Sequence, residues 1–140
     1  LIHGPNLNLL GAREAEHYGA KTLRDIEALV KGAAEKLGYS VVAFQSNHEG
    51  ALVDFLQKES PNASGIIINP GALTHYSYAL HDALQDAKLP AVEVHLSDIS
   101  SREPWRQVSV TSPACIAQVS GKKETGYLEA LEVLHKRLSA

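Results

Sequence analysis

Residues 65–71 read Gly-Ile-Ile-Ile-Asn-Pro-Gly. Three consecutive β-branched residues leave no polar face, so the run fits a strand covered on both sides, as strands of parallel sheets are. Asn69, Pro70 and Gly71 then stop it with turn residues. A strand of this kind needs helices above and below it, and the neighbouring segments supply candidates.

Upstream, Thr22 is placed to cap a helix, with Asp25 at its third position and Gly38 as terminator. Its apolar positions Leu23, Ile26, Leu29, Val30, Ala33 and Leu37 recur at helical spacing. SVVAFQ, residues 40–45, follows as a short strand. Glu49–Glu59 returns to helical spacing through Leu52, Val53 and Leu56 before Ser60, Pro61 and Asn62 break it. Downstream, Thr74 is the expected cap of a helix to about Ala87, with Ala79, Leu80, Ala83 and Leu84 facing inward. Pro90 opens the strand AVEV, ACIAQV supplies another at 114–119, and 124–138 reads as a closing helix. Leu1 and Ile2 read as the tail of a first strand. The alternation predicts one α/β domain over residues 1–140: a flavodoxin-like, doubly wound parallel sheet of about five strands with helices on both faces.

Composition narrows the classes of function. The 140 residues are 44% hydrophobic and 21% charged, and no apolar run approaches the roughly 20 residues of a membrane span, which predicts a soluble protein. A formal net charge of -3 offers no basic field for nucleic acid. The lone Cys115 excludes a disulfide within the chain, suits a reducing cytosol and reads as a small buried hydrophobe. The chain opens at Leu1 without a methionine, so we expect residues to precede it, and a removed targeting peptide stays open.

In such folds ligands bind beyond the carboxyl ends of the strands. Those ends carry His3 and Asn6, then Ser46, Asn47 and His48, then Asn69, Thr74 and His75, then His95 and Ser97. Turns and caps also favour asparagine and serine, so each residue alone fits a structural role equally well. Four histidines at these ends favour function. So does the long loop Gly4–Lys21, which has little to bury and carries Arg13 and Tyr18 five residues apart. A guanidinium favours a neighbouring phenolate, so Arg13 could activate Tyr18 as a base in a lid; the spacing also fits a Tyr18 that merely anchors the loop. His75, just inside the expected helix, should be held neutral by the helix dipole. None of Lys21, Lys31, Lys36, Lys58 and Lys88 falls where a buried Schiff-base lysine would lie.

HGPNLNLLG, ARE and YG in the first loop, then SNHEGALVD, IIINPGALTHYSYAL, EVHLSD and REPWR, span nearly the whole chain in order. Together they resemble the type II 3-dehydroquinate dehydratases. The resemblance implies a flavodoxin-like hydro-lyase of the shikimate pathway that converts 3-dehydroquinate to 3-dehydroshikimate with no cofactor and no metal. It implies Tyr18 as the base that takes a proton beside the ketone, with Arg13 keeping it ionised, and His95 as the acid for the departing hydroxyl. Asn6 matches the group that orients a water at the developing enolate oxygen. Asn69, His75 and Arg106 match substrate-binding positions, and Ser97 with the backbone of Leu96 matches a carboxylate-binding turn. Asp82 matches a residue that reaches a neighbouring subunit's site, and the implied assembly is a cytoplasmic homo-oligomer, a dodecamer of four trimers.

The chain also departs from that pattern. Ala15 stands where many members have proline, Asp98 replaces an asparagine after HLS, His81 replaces an arginine before Asp82, and GKKETGY replaces a more glycine-rich turn. None of these removes an implied catalytic group. Two other classes of function fit the sequence less well. A metal hydrolase lacks an HExxH or similarly paired ligand motif, and an FMN or phosphate-receiving module lacks the expected phosphate loop or acidic cluster after the first strand.

Overall fold

The computed structural model describes residues 1–140. Its strands are β1 (Ile2–His3), β2 (Phe44–Gln45), β3 (Ile66–Asn69), β4 (Ala91–His95) and β5 (Ala117–Ser120). Its helices are α1 (Ala15–Tyr18), α2 (Leu23–Lys36), α3 (Glu49–Glu59), α4 (Tyr78–Ala87) and α5 (Thr125–Leu138). All strand pairs are parallel, in the order β2-β1-β3-β4-β5, which is the flavodoxin-like doubly wound arrangement.

β3 is central and every one of its residues is buried. Successive side chains point to opposite faces. Ile66 and Ile68 pack with Ile2, Leu52, Leu56, Leu80 and Leu84 under α3 and α4. Ile67 packs with Val92, Val94, Val119, Val30, Tyr127 and Leu131 under α2 and α5. Each such side chain contributes about 1.5–3 kcal/mol by leaving water, so the triple-isoleucine run ties both helical layers to one strand.

Helix α2 starts as its sequence predicts: Thr22 accepts from the Asp25 N–H at 3.1 Å while the Asp25 carboxylate accepts from the Thr22 N–H at 3.0 Å. Its buried stripe is Ile26, Val30 and Ala34. Leu29, expected inside, is exposed because it lies about 100° around the helix from Val30. Two strands are shorter than expected. Only Phe44–Gln45 of SVVAFQ pairs, and Val42 is exposed. The last strand begins at Ala117, because Ser112–Ala114 is drawn into a 3₁₀ turn built on Pro113.

The expected cap at Thr74 is corrected. Residues Gly71–His75 form a 3₁₀ turn, and α4 begins at Tyr78, capped by Ser77, whose Oγ accepts from the Leu80 N–H at 3.0 Å. The Thr74 hydroxyl is buried and shares 2.8 Å hydrogen bonds with Ser109 and Thr111, tertiary partners that no local pattern encodes. Ala79 consequently lies on the exposed face of α4. The loop Gly4–Lys21 also buries more than expected, since Leu7 and Leu10 enter the core below α2.

Two close approaches place the loops after β1 and β3 side by side. The Gly4 N–H donates to the Asn69 carbonyl at 2.7 Å, and a Cβ on Gly4 would stand 2.1 Å from the Pro70 carbonyl oxygen. No side chain fits there. The turn at Pro70–Gly71, with Gly71 at φ 62°, then leans on Pro5.

Candidate active site

The pocket over this junction is lined by Asn6, Arg13, Tyr18, Asn69, His75, His95, Leu96, Ser97 and Arg106, all singled out from sequence. It also contains Arg102, which was not. Asp82 is exposed on α4 and is not among the lining residues. His3, Ser46, Asn47, His48 and Thr74 also lie outside it. No lysine lines it.

Tyr18 ends α1, with its ring partly against the core and its oxygen in the pocket. Ala15, in place of proline, is the first residue of that single helical turn. Arg13 does not reach the phenolic oxygen; its guanidinium carbon stacks 3.8 Å from the ring centre. The oxygen instead accepts a 2.8 Å hydrogen bond from Nη1 of Arg102, which also reaches Ser97 Oγ at 3.4 Å. Two cations thus bracket one phenol, Arg102 at its oxygen and Arg13 at its ring face.

His95 closes β4 and is buried. Its Nε2–H donates to the carboxylate of Glu93 at 2.9 Å. Glu93 is wholly buried and also accepts from Ser109 at 2.8 Å, from Gln118 at 2.7 Å and from the Thr111 hydroxyl. Burial alone would push its carboxyl up, but the bonds and charge from His95, with those from Thr111 and Gln118, prevail and hold it down at about 2. An ionised carboxylate therefore orients the His95 ring. The signal for Glu93 was present in AVEVH: one charge inside a buried apolar strand needs partners.

Asn69 is fixed at both ends of its amide. Its Oδ1 accepts from the Gly71 N–H at 3.0 Å and its Nδ2 donates to the buried Tyr127 hydroxyl at 3.1 Å, leaving one N–H free. The Nδ1–H of His75 donates to the Val108 carbonyl at 2.7 Å, which leaves Nε2 as an acceptor. His75 is held below its ordinary value, as expected, but by another cause. Desolvation dominates, with His95 and Arg106 adding to it against the Val108 bond and Glu93; the residue sits in the 3₁₀ turn, before α4 begins. Arg106 donates from Nε to Glu103 at 3.0 Å and lies 4.0 Å over the Trp105 ring.

Three of the departures from the family pattern make local bonds. Asp98 accepts from the N–H and hydroxyl of Ser100, so its carboxylate closes its own turn. His81 bonds the Val110 carbonyl at 2.7 Å through Nδ1. The GKKETGY turn bonds back to the fourth strand's exit, the N–H groups of Gly121 and Lys123 each donating at 3.1 Å to the carbonyls of Ser97 and Leu96. Cys115 is half-buried and its thiol is pushed up to about 12 by burial and by Glu93, as suits an unreactive packing residue.

A larger cleft of about 340 Å³ lies at the opposite ends of the strands. Its lining is mostly apolar and Glu59 is its only charged side chain, so the chemistry resides in the smaller pocket. No three His, Cys, Asp or Glu side chains cluster to hold a metal ion, and no helix is long and apolar enough to cross a membrane.

Comparison with known proteins identifies the family. A model of the family Dehydroquinase class II matches residues 1–135. A 3-dehydroquinate dehydratase of Roseiflexus castenholzii is 54% identical over 96% of this chain and 85% of its own length. One of Clostridium beijerinckii is 50% identical over 99% of this chain and 97% of its own. The crystal structure of a type II dehydroquinase from Butyrivibrio crossotus superposes with a TM-score of 0.92 at 42% identity, covering 95% of this chain and 93% of that one. With that breadth of match in sequence and in fold, the chain belongs to the class II dehydroquinase family.

Proposed function

We propose that the chain, acting as one catalytic domain, removes water from 3-dehydroquinate to give 3-dehydroshikimate, using side chains alone. The observation that carries this reading is the pairing in one pocket of a tyrosine oxygen held by Arg102 with a histidine held by the buried Glu93. The names of the relatives support the substrate.

Tyr18, as phenolate, takes the proton from the carbon beside the ketone, and the electron pair of the broken C–H bond becomes an enolate. Asn6 supplies or orients the donor at that oxygen, where charge appears in the transition state. The enolate collapses, the C–O bond to the β-hydroxyl breaks, and His95 protonates the hydroxyl so that it leaves as water. The enzyme is left with a neutral Tyr18 and a neutral His95, and proton exchange through solvent restores both. Each positioned acid or base contributes about 10²–10⁴-fold. Arg106, His75 and Asn69 contact the substrate hydroxyls, and Ser97 with the Leu96 backbone holds its carboxylate.

We further propose assembly as a trimer, or the dodecamer built from four, in which Asp82 completes a neighbour's site. Exposed Tyr76, Trp105 and Val108 border the pocket residue His75 and support a subunit contact there, because an exposed aromatic patch at a site rim marks an interaction surface. Adding 3-dehydroquinate to chelator-treated protein and following the absorbance of the conjugated enone product tests the activity. Steady turnover supports the reading; no product, or turnover restored only by a divalent metal, contradicts it.

A further inference from the structure

We propose that Asn47 is a positioning residue for this pocket: its side-chain oxygen clamps the backbone of Asn6 in a left-handed turn and so aims the Asn6 amide at the substrate. The inference rests on the proposal that Asn6 acts at the developing enolate, and it assigns a task to a strand-end residue that the pocket itself does not use.

Asn6 has φ 69° and ψ -5°, a conformation that side chains other than glycine adopt rarely and that persists where the surroundings hold it. It opens a 3₁₀ turn, Leu7–Leu9, and uses none of its own amide to cap that turn. Its orientation therefore follows from its backbone. That backbone is held from the neighbouring strand: the Asn6 N–H donates to Asn47 Oδ1 at 2.9 Å. The same oxygen accepts from Gln45 Nε2 at 3.1 Å, and Gln45 Nε2 also reaches the Gly4 carbonyl at 3.2 Å. Gln45 pairs in register with His3, so the clamp is built on the sheet.

Asn6 lines the pocket and Asn47 does not, so Asn47 acts through Asn6. The Asn6–Asn47 bond is exposed, so water replaces it when it is lost and the protein stays folded. What is lost is the fixed conformation, and misplacing a group at the reacting centre by about 1 Å costs up to about 10²-fold in rate. An oxygen acceptor is the requirement, so aspartate preserves the function and leucine, of similar shape, does not.

Asn47→Leu and Asn47→Asp are each compared with the unaltered protein, alone and combined with Asn6→Ala. Asn47→Leu should lower kcat about tenfold or more with KM within about twofold, and Asn47→Asp should recover most of the loss. In the Asn6→Ala protein, Asn47→Leu should cost nothing further. Amide exchange of the Asn6 N–H, which needs no turnover, should quicken in Asn47→Leu and stay slow in Asn47→Asp. Equal losses of kcat with and without Asn6→Ala, or unchanged exchange at Asn6, would overturn the clamp. An unaltered protein that does not dehydrate 3-dehydroquinate would instead defeat the proposed function, and the exchange measurement would still decide the clamp.

Discussion

Nη1 of Arg102 donates a 2.8 Å hydrogen bond to the hydroxyl oxygen of Tyr18. The Arg13 guanidinium, 3.8 Å above the same ring, meets its face and not its oxygen. A charged hydrogen bond is worth about 1.5–3 kcal/mol and a cation over a ring face about 0.5–1.

Arg102→Ala should therefore cost about ten- to a hundredfold in kcat, since the Tyr18 oxygen loses its charged donor. Arg13→Ala should act in the same direction and by less. A pH–rate profile of each variant checks this order. A larger loss for Arg13→Ala would contradict it.

Glu93→Gln tests the other half of the pocket. The amide keeps the volume but cannot accept from His95, Ser109, Gln118 and Thr111 as a carboxylate does. His95 then loses the carboxylate that orients it, and kcat should fall by about 10²-fold while KM changes little. Exchange of the substrate's α-proton with deuterated solvent, which needs only Tyr18, should survive better than turnover. Equal loss of both would place Glu93 with the base instead.

Much of this was legible beforehand. GIII is buried on both faces, and the Thr22–Asp25 box starts α2, because in each the local chemistry and the tertiary role coincide. Thr74 misled, since its hydroxyl is committed to residues 35 and 37 positions away, and Ser77 caps α4 in its place. Nine of the ten residues given roles fall in one pocket because each stands at or just beyond a strand end or on a neighbouring loop. Arg102, which opens REPWR, carries no role in the sequence reading, because it reaches Tyr18 across 84 positions of chain.

Acid should destabilise the fold in two stages. His3 is wholly buried with no hydrogen bond at either ring nitrogen, and desolvation holds it down at about 3. The N-terminal ammonium lowers it further, and Glu27, 3.5 Å from Nε2, does not outweigh the desolvation. The unfolded chain binds this proton near 6.5, so the stability tied to a neutral His3 is complete above that pH and declines as pH falls toward 3. Glu93, ordinarily near 4.5 and here about 2, contributes stability above 4.5 that is lost as pH falls toward 2. His3→Leu gives up no hydrogen bond and should abolish the first stage while leaving the second. Denaturant midpoints measured from pH 7 to pH 3 should diverge between the two proteins, and parallel curves would remove His3 as the cause.

Sedimentation equilibrium should give a trimer or a multiple of it, and Asp82→Ala should lower activity without unfolding the subunit. A fully active monomer would defeat the shared site.

The account rests most on Tyr18 as the base. Tyr18→Phe keeps the ring under Arg13 and removes only the oxygen, so substrate binding, read by calorimetry on the same sample, should persist. Turnover of 3-dehydroquinate, followed as enone absorbance, should fall by about 10³-fold or more, together with α-proton exchange. Near-normal turnover in Tyr18→Phe would contradict the assignment.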